Sequence, residues 1–277
     1  MDFFILSYPR SGSSLLRLML NSHSQIGVPP ECGMIQWWHD KYQNINEDFF
    51  KSSDFIEFKQ DILSSKKIEG WGVTEHHFSQ AMNDKPNSYG DFFSKFYRAY
   101  TSKQIVGDKN NYYIRYLDVL RKIYPKTKYI HICRDGRDVS CSLKEISRLD
   151  GDLRYKPDVP KSITEIAKNW VSSVLEIESF LKSTSGGLQV SYEELVTTPV
   201  RTLKEICTYL ELDFEEDMLK YYLNNNEPES TIVWKKKTLQ KLDKNNLGRY
   251  KSELTKLELE LFEDIALDTL RFYGYEA

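Results

Sequence analysis

DFFILSYPRSGSSLLRLMLNSH, residues 2–23, is the stretch that decides how this chain folds. Phe3, Phe4, Ile5 and Leu6 form an apolar run too brief for a buried helix, ended by Ser7, Tyr8 and Pro9, and they read as a core β-strand. Leu15, Leu16, Met19 and Leu20 recur at three- and four-residue spacing, which predicts a helix with Ser11, Ser13 or Ser14 as its cap. Between strand and helix lies a turn of Arg10, hydroxyls and Gly12. Free N–H groups and the dipole at a helix N-terminus attract an anion, and a glycine lets the backbone approach it closely. The layout is how α/β proteins hold phosphate.

The phosphate loop of NTPases, G-x-x-x-x-G-K-[ST], falls here on Ser7-Tyr8-Pro9-Arg10-Ser11-Gly12-Ser13-Ser14, without the first glycine and without the lysine. ATP and GTP chemistry normally needs that lysine and a magnesium ion. Arg10 supplies the charge earlier in the loop, and a transferred group less charged than a γ-phosphate, such as sulfuryl, could dispense with metal. Two other classes stay open on the residues alone. A P-loop-type nucleotide kinase predicts Mg-ATP binding, and a non-catalytic nucleotide-binding protein predicts the loss of Arg10, Lys109 or Glu31.

A second stretch, YIHICRDGRDVSCSL, spans residues 129–143. Tyr129 to Cys133 read as a strand, and Arg134-Asp135-Gly136-Arg137 as a polar turn opening a helix with Asp135 as N-cap. Ser142 follows two helical turns later on a similar face, and Arg137 and Asp138 are candidates for a structural ion pair.

YPRSGSSLLR resembles the 5′-phosphosulfate loop of sulfotransferases that use 3′-phosphoadenosine 5′-phosphosulfate (PAPS), and YIHICRDGRDVSCSL resembles the strand and helix that hold that donor's 3′-phosphate. The resemblance implies a P-loop-NTPase-like sulfotransferase fold, an α/β architecture with a three-layer parallel sheet flanked by helices. It implies PAPS as donor and a hydroxyl-bearing acceptor. It assigns Arg10, Ser11, Gly12, Ser13 and Ser14 to the donor loop, and Arg134 and Ser142 to the 3′-phosphate, where a planar guanidinium can donate two hydrogen bonds. SYEELVTTP resembles the segment after the adenine-side strand and so nominates Tyr192 as a nucleotide contact. A basic C-terminal segment covers the nucleotide in the family, which nominates Lys235, Lys236, Lys237 and Arg249. The likeness extends over residues 2–36, 103–145, 187–200 and 247–276.

In-line sulfuryl transfer should resemble phosphoryl transfer, with charge growing on the leaving oxygen and a proton leaving the acceptor. Arg10 and Lys109 are nominated as the cations; GDKNNYYIRYL resembles the tyrosylprotein-type stretch whose lysine contacts the leaving oxygen. The histidine base of cytosolic small-molecule sulfotransferases, in a K-x-x-x-H pattern, does not fit Lys109-Asn-Asn-Tyr-Tyr. The tyrosylprotein-type branch uses a glutamate, which falls on Glu31 in VPPECG. Read from the residues, Val28-Pro29-Pro30 is a stiff arm that aims a carboxylate at the sheet edge. A partly dry pocket is expected to raise its pKa toward the working range of a base. His76 and His77 are the competing bases.

The 277 residues, about 40% hydrophobic, suit one α/β domain over residues 1–277, with acceptor-side insertions around 37–102 and 146–186. No apolar run reaches the roughly 20 residues of a membrane span, no signal peptide is visible, and a cytoplasmic location is expected. Cys32, Cys133, Cys141 and Cys207 lack zinc or disulfide spacing, so no metal is expected, and a net charge of −3 gives no reason for nucleic-acid binding. KQIVGD (103–108) and GLQVSYEEL (187–195) read as further strands. Tyr113 to Ile123, Ile163 to Leu175 and Leu254 to Leu270 read as helices, the last ended by Gly274. The stretch from Asn224 to Tyr250 reads as a basic surface loop able to close over a donor. Trp37, Trp38, Phe49, Phe50, Trp71, Phe78, Phe92, Phe93, Phe96 and Tyr97 crowd the first insertion, as core or as walls for an acceptor. The acceptor is left as a phenol, a sterol or lipid alcohol, a polyketide alcohol or a peptide tyrosine.

Overall fold

The computed structural model describes every residue except Asp152, Ser185 and Ala277. Five strands form one sheet in the order β2-β3-β1-β4-β5, every pair parallel. They are β1 (Phe3–Leu6), β2 (Ile26–Gly27), β3 (Ile105–Lys109), β4 (Lys128–Cys133) and β5 (Leu188–Ser191). All four residues of β1 are buried, as its unbroken apolar run requires of a central parallel strand covered on both faces. Residues alternate between those faces. Phe3 and Ile5 meet α1 (Ser13–Asn21) and the helix Pro199–Tyr209, through Leu16, Leu20, Leu203 and Ile206. Phe4 and Leu6 meet the helix Tyr89–Thr101 and the far end of the helix Ile163–Lys182, through Phe93, Tyr97 and Ile177. Helices therefore flank the sheet on both sides, as expected.

The chain leaves β1 toward β2 and β3 on one side and then crosses to β4 and β5 on the other. Ligands of open parallel sheets sit beyond the carboxyl ends of the strands where that order reverses. Those ends carry the loop after Leu6, Lys109 as the last residue of β3, and Arg134 directly after β4.

Local details depart from the expectations in instructive ways. Gly12 itself is the N-cap of α1, at φ 93°, and no serine caps it; Ser13 Oγ instead donates to Asn111 Oδ1 at 3.3 Å. The predicted helix over 113–123 divides into a 3₁₀ stretch, Asn111–Tyr116, and an α-helix, Leu117–Ile123. Asp135 caps its helix as predicted, accepting from Arg137 N at 2.9 Å. Arg137 pairs with Asp135 and Glu263, not with Asp138, because Asp138 accepts from the amides of Gly248 and Tyr250. The crowded aromatics of the first insertion are mainly core: Phe50, Trp71, Phe78, Phe92, Phe93, Phe96 and Tyr97 are buried together and pack mostly edge-on or stacked. Nor is the 224–250 stretch a solvated loop, since it buries Glu227, Thr231, Trp234 and Lys235.

A Cβ at Gly12 would stand 2.3 Å from the Tyr192 ring, and its φ lies in the left-handed region. Gly12→Ala is expected to lower unfolding stability in urea by about 1–3 kcal/mol, the scale of a strained backbone residue, with β-sheet and helix content unchanged.

Candidate functional site

The loop after β1 turns by placing Arg10 (φ 72°) and Gly12 (φ 93°) in the left-handed region, on either side of Ser11. Alternation of this kind points successive amides to one side and makes an anion-binding concavity, while the first-turn amides of α1 have no intrahelical partner. Arg10 accepts the left-handed conformation at a cost of about 1–2 kcal/mol. The reward is direction: its Nε donates to Ser142 Oγ at 3.0 Å and its Nη2 to the Trp234 carbonyl at 2.9 Å.

Arg134 arrives from the end of β4. Its guanidinium lies 4.4 Å from the centre of the Tyr192 ring and donates through Nη2 to the Asn246 carbonyl at 2.6 Å. Its nearest carboxylate, Asp138, is 3.6 Å away and is itself committed to two backbone amides. Tyr192, buried, is held between the loop glycine and this arginine. Burial, then the like charge of Arg134, pulls the Arg10 guanidinium down to about 10. Ser11 Oγ and Arg134 Nε are buried without a hydrogen-bond partner among the described residues. Buried polar atoms are almost always paired, so two orphans beside two under-compensated guanidinium groups define a place that suits a phosphate. Arg249 and Lys237 approach the same helix but meet Glu145, at 2.8 and 3.5 Å, and Lys237 remains 53% exposed at its side chain.

A second cluster gathers around Glu31. Three donors fix its segment: Arg17 Nη1 to the Val28 carbonyl, Trp71 Nε1 to the Pro30 carbonyl and Asn110 Nδ2 to the Cys32 carbonyl, at 2.9, 3.0 and 3.0 Å. The carboxylate accepts from Lys109 Nζ at 2.5 Å and Lys67 Nζ at 2.6 Å. Burial pushes the Glu31 carboxyl up, but Lys109, Lys67 and Lys235 outweigh it and hold it well below the usual carboxylate range. That reverses the expected rise, because the pocket supplies more cations than it removes water. Behind Lys109, burial raises Asp108 to about 6 against hydrogen bonds from the Tyr113 and Tyr97 hydroxyls, which keeps the end of β3 packed.

The structure thus brings Glu31 and Lys109 into contact and brings Arg10, Ser11, Gly12, Arg134, Ser142 and Tyr192 around one place. It sends Arg10 to Ser142, and no hydrogen bond or ion pair joins it to Lys109 or Glu31 among the described residues. His76 is exposed, and His77 Nδ1 accepts from the Thr74 amide at 3.0 Å, in a capping role. Lys67 belongs to the site without a motif to mark it, and Arg17 and Asn111 lie inside quoted motifs that gave them no role. Arg17 alone leaves a trace, as a charge inside the apolar run Leu15 to Leu20. No group of three or more His, Cys, Asp or Glu side chains suited to a metal occurs among the described residues. Nor is any of their helices long and apolar enough to cross a membrane.

A sequence model of the sulfotransferase family matches residues 2–216, and the chain belongs to that family. Its fold is similar to the sulfotransferase domain of the Synechococcus PCC 7002 olefin synthase, at 25% identity and a TM-score of 0.63, covering 96% of this chain and 94% of that one. It is also similar in fold to the mouse sulfotransferase SULT7A1 complexed with PAP, at 14% identity and a TM-score of 0.52, covering 98% of this chain and 84% of that one. The fold is therefore the P-loop-like sulfotransferase fold. Two curated relatives, an uncharacterized Aquifex aeolicus (strain VF5) protein and a Caenorhabditis briggsae protein whose name proposes it as a protein-tyrosine sulfotransferase, are each 21% identical over 227 residues, 79% of this chain. The chain spans 26% of the first relative's length and 68% of the second's.

Burial, opposed by Glu227 and reinforced by Lys109, lowers the Lys235 ammonium to about 8, so its charge is lost as pH rises through that value. With Glu31 held ionised far into acid, kcat/KM is expected to stay flat between about pH 5 and about pH 7.5 and to fall above about pH 8. In Lys235→Arg the alkaline fall should disappear from a pH-rate profile.

Proposed function

We propose that this protein transfers a sulfuryl group from PAPS to an acceptor hydroxyl, working as one sulfotransferase unit over residues 1–277 in the cytoplasm and without a metal. The observation that carries the donor assignment is the pair of orphaned buried atoms, Ser11 Oγ and Arg134 Nε, set beside Arg10 and Ser142. Each fits an anionic oxygen, and the donor supplies two anionic ends and a sulfuryl group bound through a good leaving oxygen. Arg134, Arg10 and Ser142 hold the 3′-phosphate, with the Tyr192 ring backing the guanidinium. The amides of Gly12, Ser13 and Ser14 and the Ser11 hydroxyl hold the 5′ end at the helix N-terminus. Arg249 and Lys237, each paired with Glu145, are assigned to cover the bound donor. The relative complexed with PAP supports the same class of donor for this chain.

Glu31 acts as the general base and Lys109 as the cation at the leaving oxygen. Lys109 serves two anions in turn: the Glu31 carboxylate first, and the leaving oxygen once charge develops there. Giving up Lys109 lifts Glu31 toward the range in which a carboxylate takes a proton from the acceptor. Arg10 contributes to the donor's anchorage from the Ser142 side. The acceptor approaches Glu31 past Lys67, whose ammonium is the more exposed of the two partners. The acceptor is a hydroxyl-bearing molecule, as the family implies.

Calorimetric titration with adenosine 3′,5′-bisphosphate, beside ADP with and without magnesium, tests the donor. Metal-free preference for the bisphosphate is expected, and preference for Mg-ADP would return the chain to the kinase reading. Arg134→Ala should weaken bisphosphate binding by about 1.5–3 kcal/mol, the worth of hydrogen bonds to a charged group; an unchanged affinity would remove Arg134 from the 3′-phosphate. In Glu31→Gln, turnover should vanish while bisphosphate affinity stays near that of the parent protein. Retained turnover there would dismiss Glu31 as the base.

A further inference from the structure

Arg17 is fully buried on α1, a residue type that avoids such burial unless paired. Its Nε and Nη2 donate to Glu227 Oε1 at 3.2 and 2.8 Å, and its Nη1 donates to Asn226 Oδ1 at 2.8 Å as well as to the Val28 carbonyl at 2.9 Å. The other oxygen of Glu227 accepts from Lys235 Nζ at 2.5 Å. One guanidinium therefore joins the donor helix, the arm that ends in Glu31, and the strap that carries Trp234 and Lys235. Residues 234 and 235 then face different clusters, the Trp234 carbonyl meeting Arg10 and the Lys235 ammonium lying within electrostatic reach of Glu31 and Lys109.

Stability alone does not account for three buried charges here, since a buried ion pair can often be replaced by apolar side chains at no loss. What such a network provides is fixed relative position. We propose that Arg17 and Glu227 are positioning residues for the transfer reaction, a buried ion pair that holds Lys235 and the Val28–Glu31 arm in register with Lys109. The proposal rests on Glu31 as the base. The charged and titratable groups that act on the pair are Lys235 and Lys109 at Glu227 and Tyr100 at Arg17, and Arg17 with Lys235 keeps Glu227 ionised, down at about 2 against the opposing effect of burial.

Glu227→Gln tests it, with kcat at saturating PAPS and acceptor read beside calorimetric affinity for adenosine 3′,5′-bisphosphate. The expected result is a fall in kcat of at least about tenfold with bisphosphate affinity held within about threefold, and partial recovery of kcat in Glu227→Asp, which restores the charge. A parallel loss of kcat and affinity, without recovery in the aspartate variant, would reduce the pair to a strap anchor and overturn the proposal; an unchanged kcat would overturn it as well. Should Glu227→Gln fail to fold, Arg17→Lys, which keeps the charge and loses the fork, is read by the same two measurements. Turnover surviving in Glu31→Gln would fell the base assignment separately, so the two failures are told apart.

Discussion

The contact on which the donor end of the molecule depends is the Tyr192 ring laid against the left-handed backbone at Gly12. Tyr192 opens the helix after β5, Gly12 belongs to the loop after β1, and Arg134, stacked on the same ring, follows β4. Three strand ends are thereby fixed to one another by a single aromatic side chain. Only a residue without a Cβ permits the approach, and only a flat ring lets a guanidinium lie on it. The position of Arg10 follows, because the positive φ of its backbone and the neighbouring turn at Gly12 together decide that its side chain runs to Ser142.

Charge is distributed to match. Around Arg10 and Arg134 positive groups outnumber the carboxylates free to answer them, and a polyanion can complete the balance. Around Glu31 the carboxylate is saturated by two ammonium groups, and Glu227 is likewise saturated by Arg17 and Lys235. Removing one partner of such a buried pair leaves an unanswered charge, at a typical cost of about 3–5 kcal/mol. The two regions thus differ in kind: one is short of negative charge, and the other is a closed ionic network with an exchangeable member in Lys109.

Much of this was legible in the sequence because it is local. The apolar run Phe3 to Leu6, the spacing of Leu15 to Leu20, the Asp135 cap and the long period from Ile163 each report a structure made by near neighbours. The family pattern added Lys109 and Glu31, which do meet. What escaped is long-range or conformational. Arg17 and Glu227 lie 210 positions apart, and no pattern within α1 names the partner. The two-residue strand β2 carries too little periodicity to be seen. Serines near a helix start suggest a side-chain cap, but the left-handed turn puts Gly12 at the cap position and leaves Ser13 and Ser14 inside the first turn. The Glu31 carboxyl is held down rather than raised because Lys109 pairs with it directly, and Lys67 and Lys235, from distant segments, add to that charge.

Alternation along β1 divides the interior in two. Phe3 and Ile5 belong to a hydrophobic cluster with α1, β5 and residues 195–221, whereas Phe4 and Leu6 belong to another with residues 32–129 and Ile177, Phe180 and Leu181. Each cluster repacks against its own face, with the sheet as a partition one backbone thick. Substitutions among the core aromatics of residues 50–97 are thus insulated from the packing behind α1. Sequence can therefore change on one face of the sheet while the other face, with α1, keeps its packing.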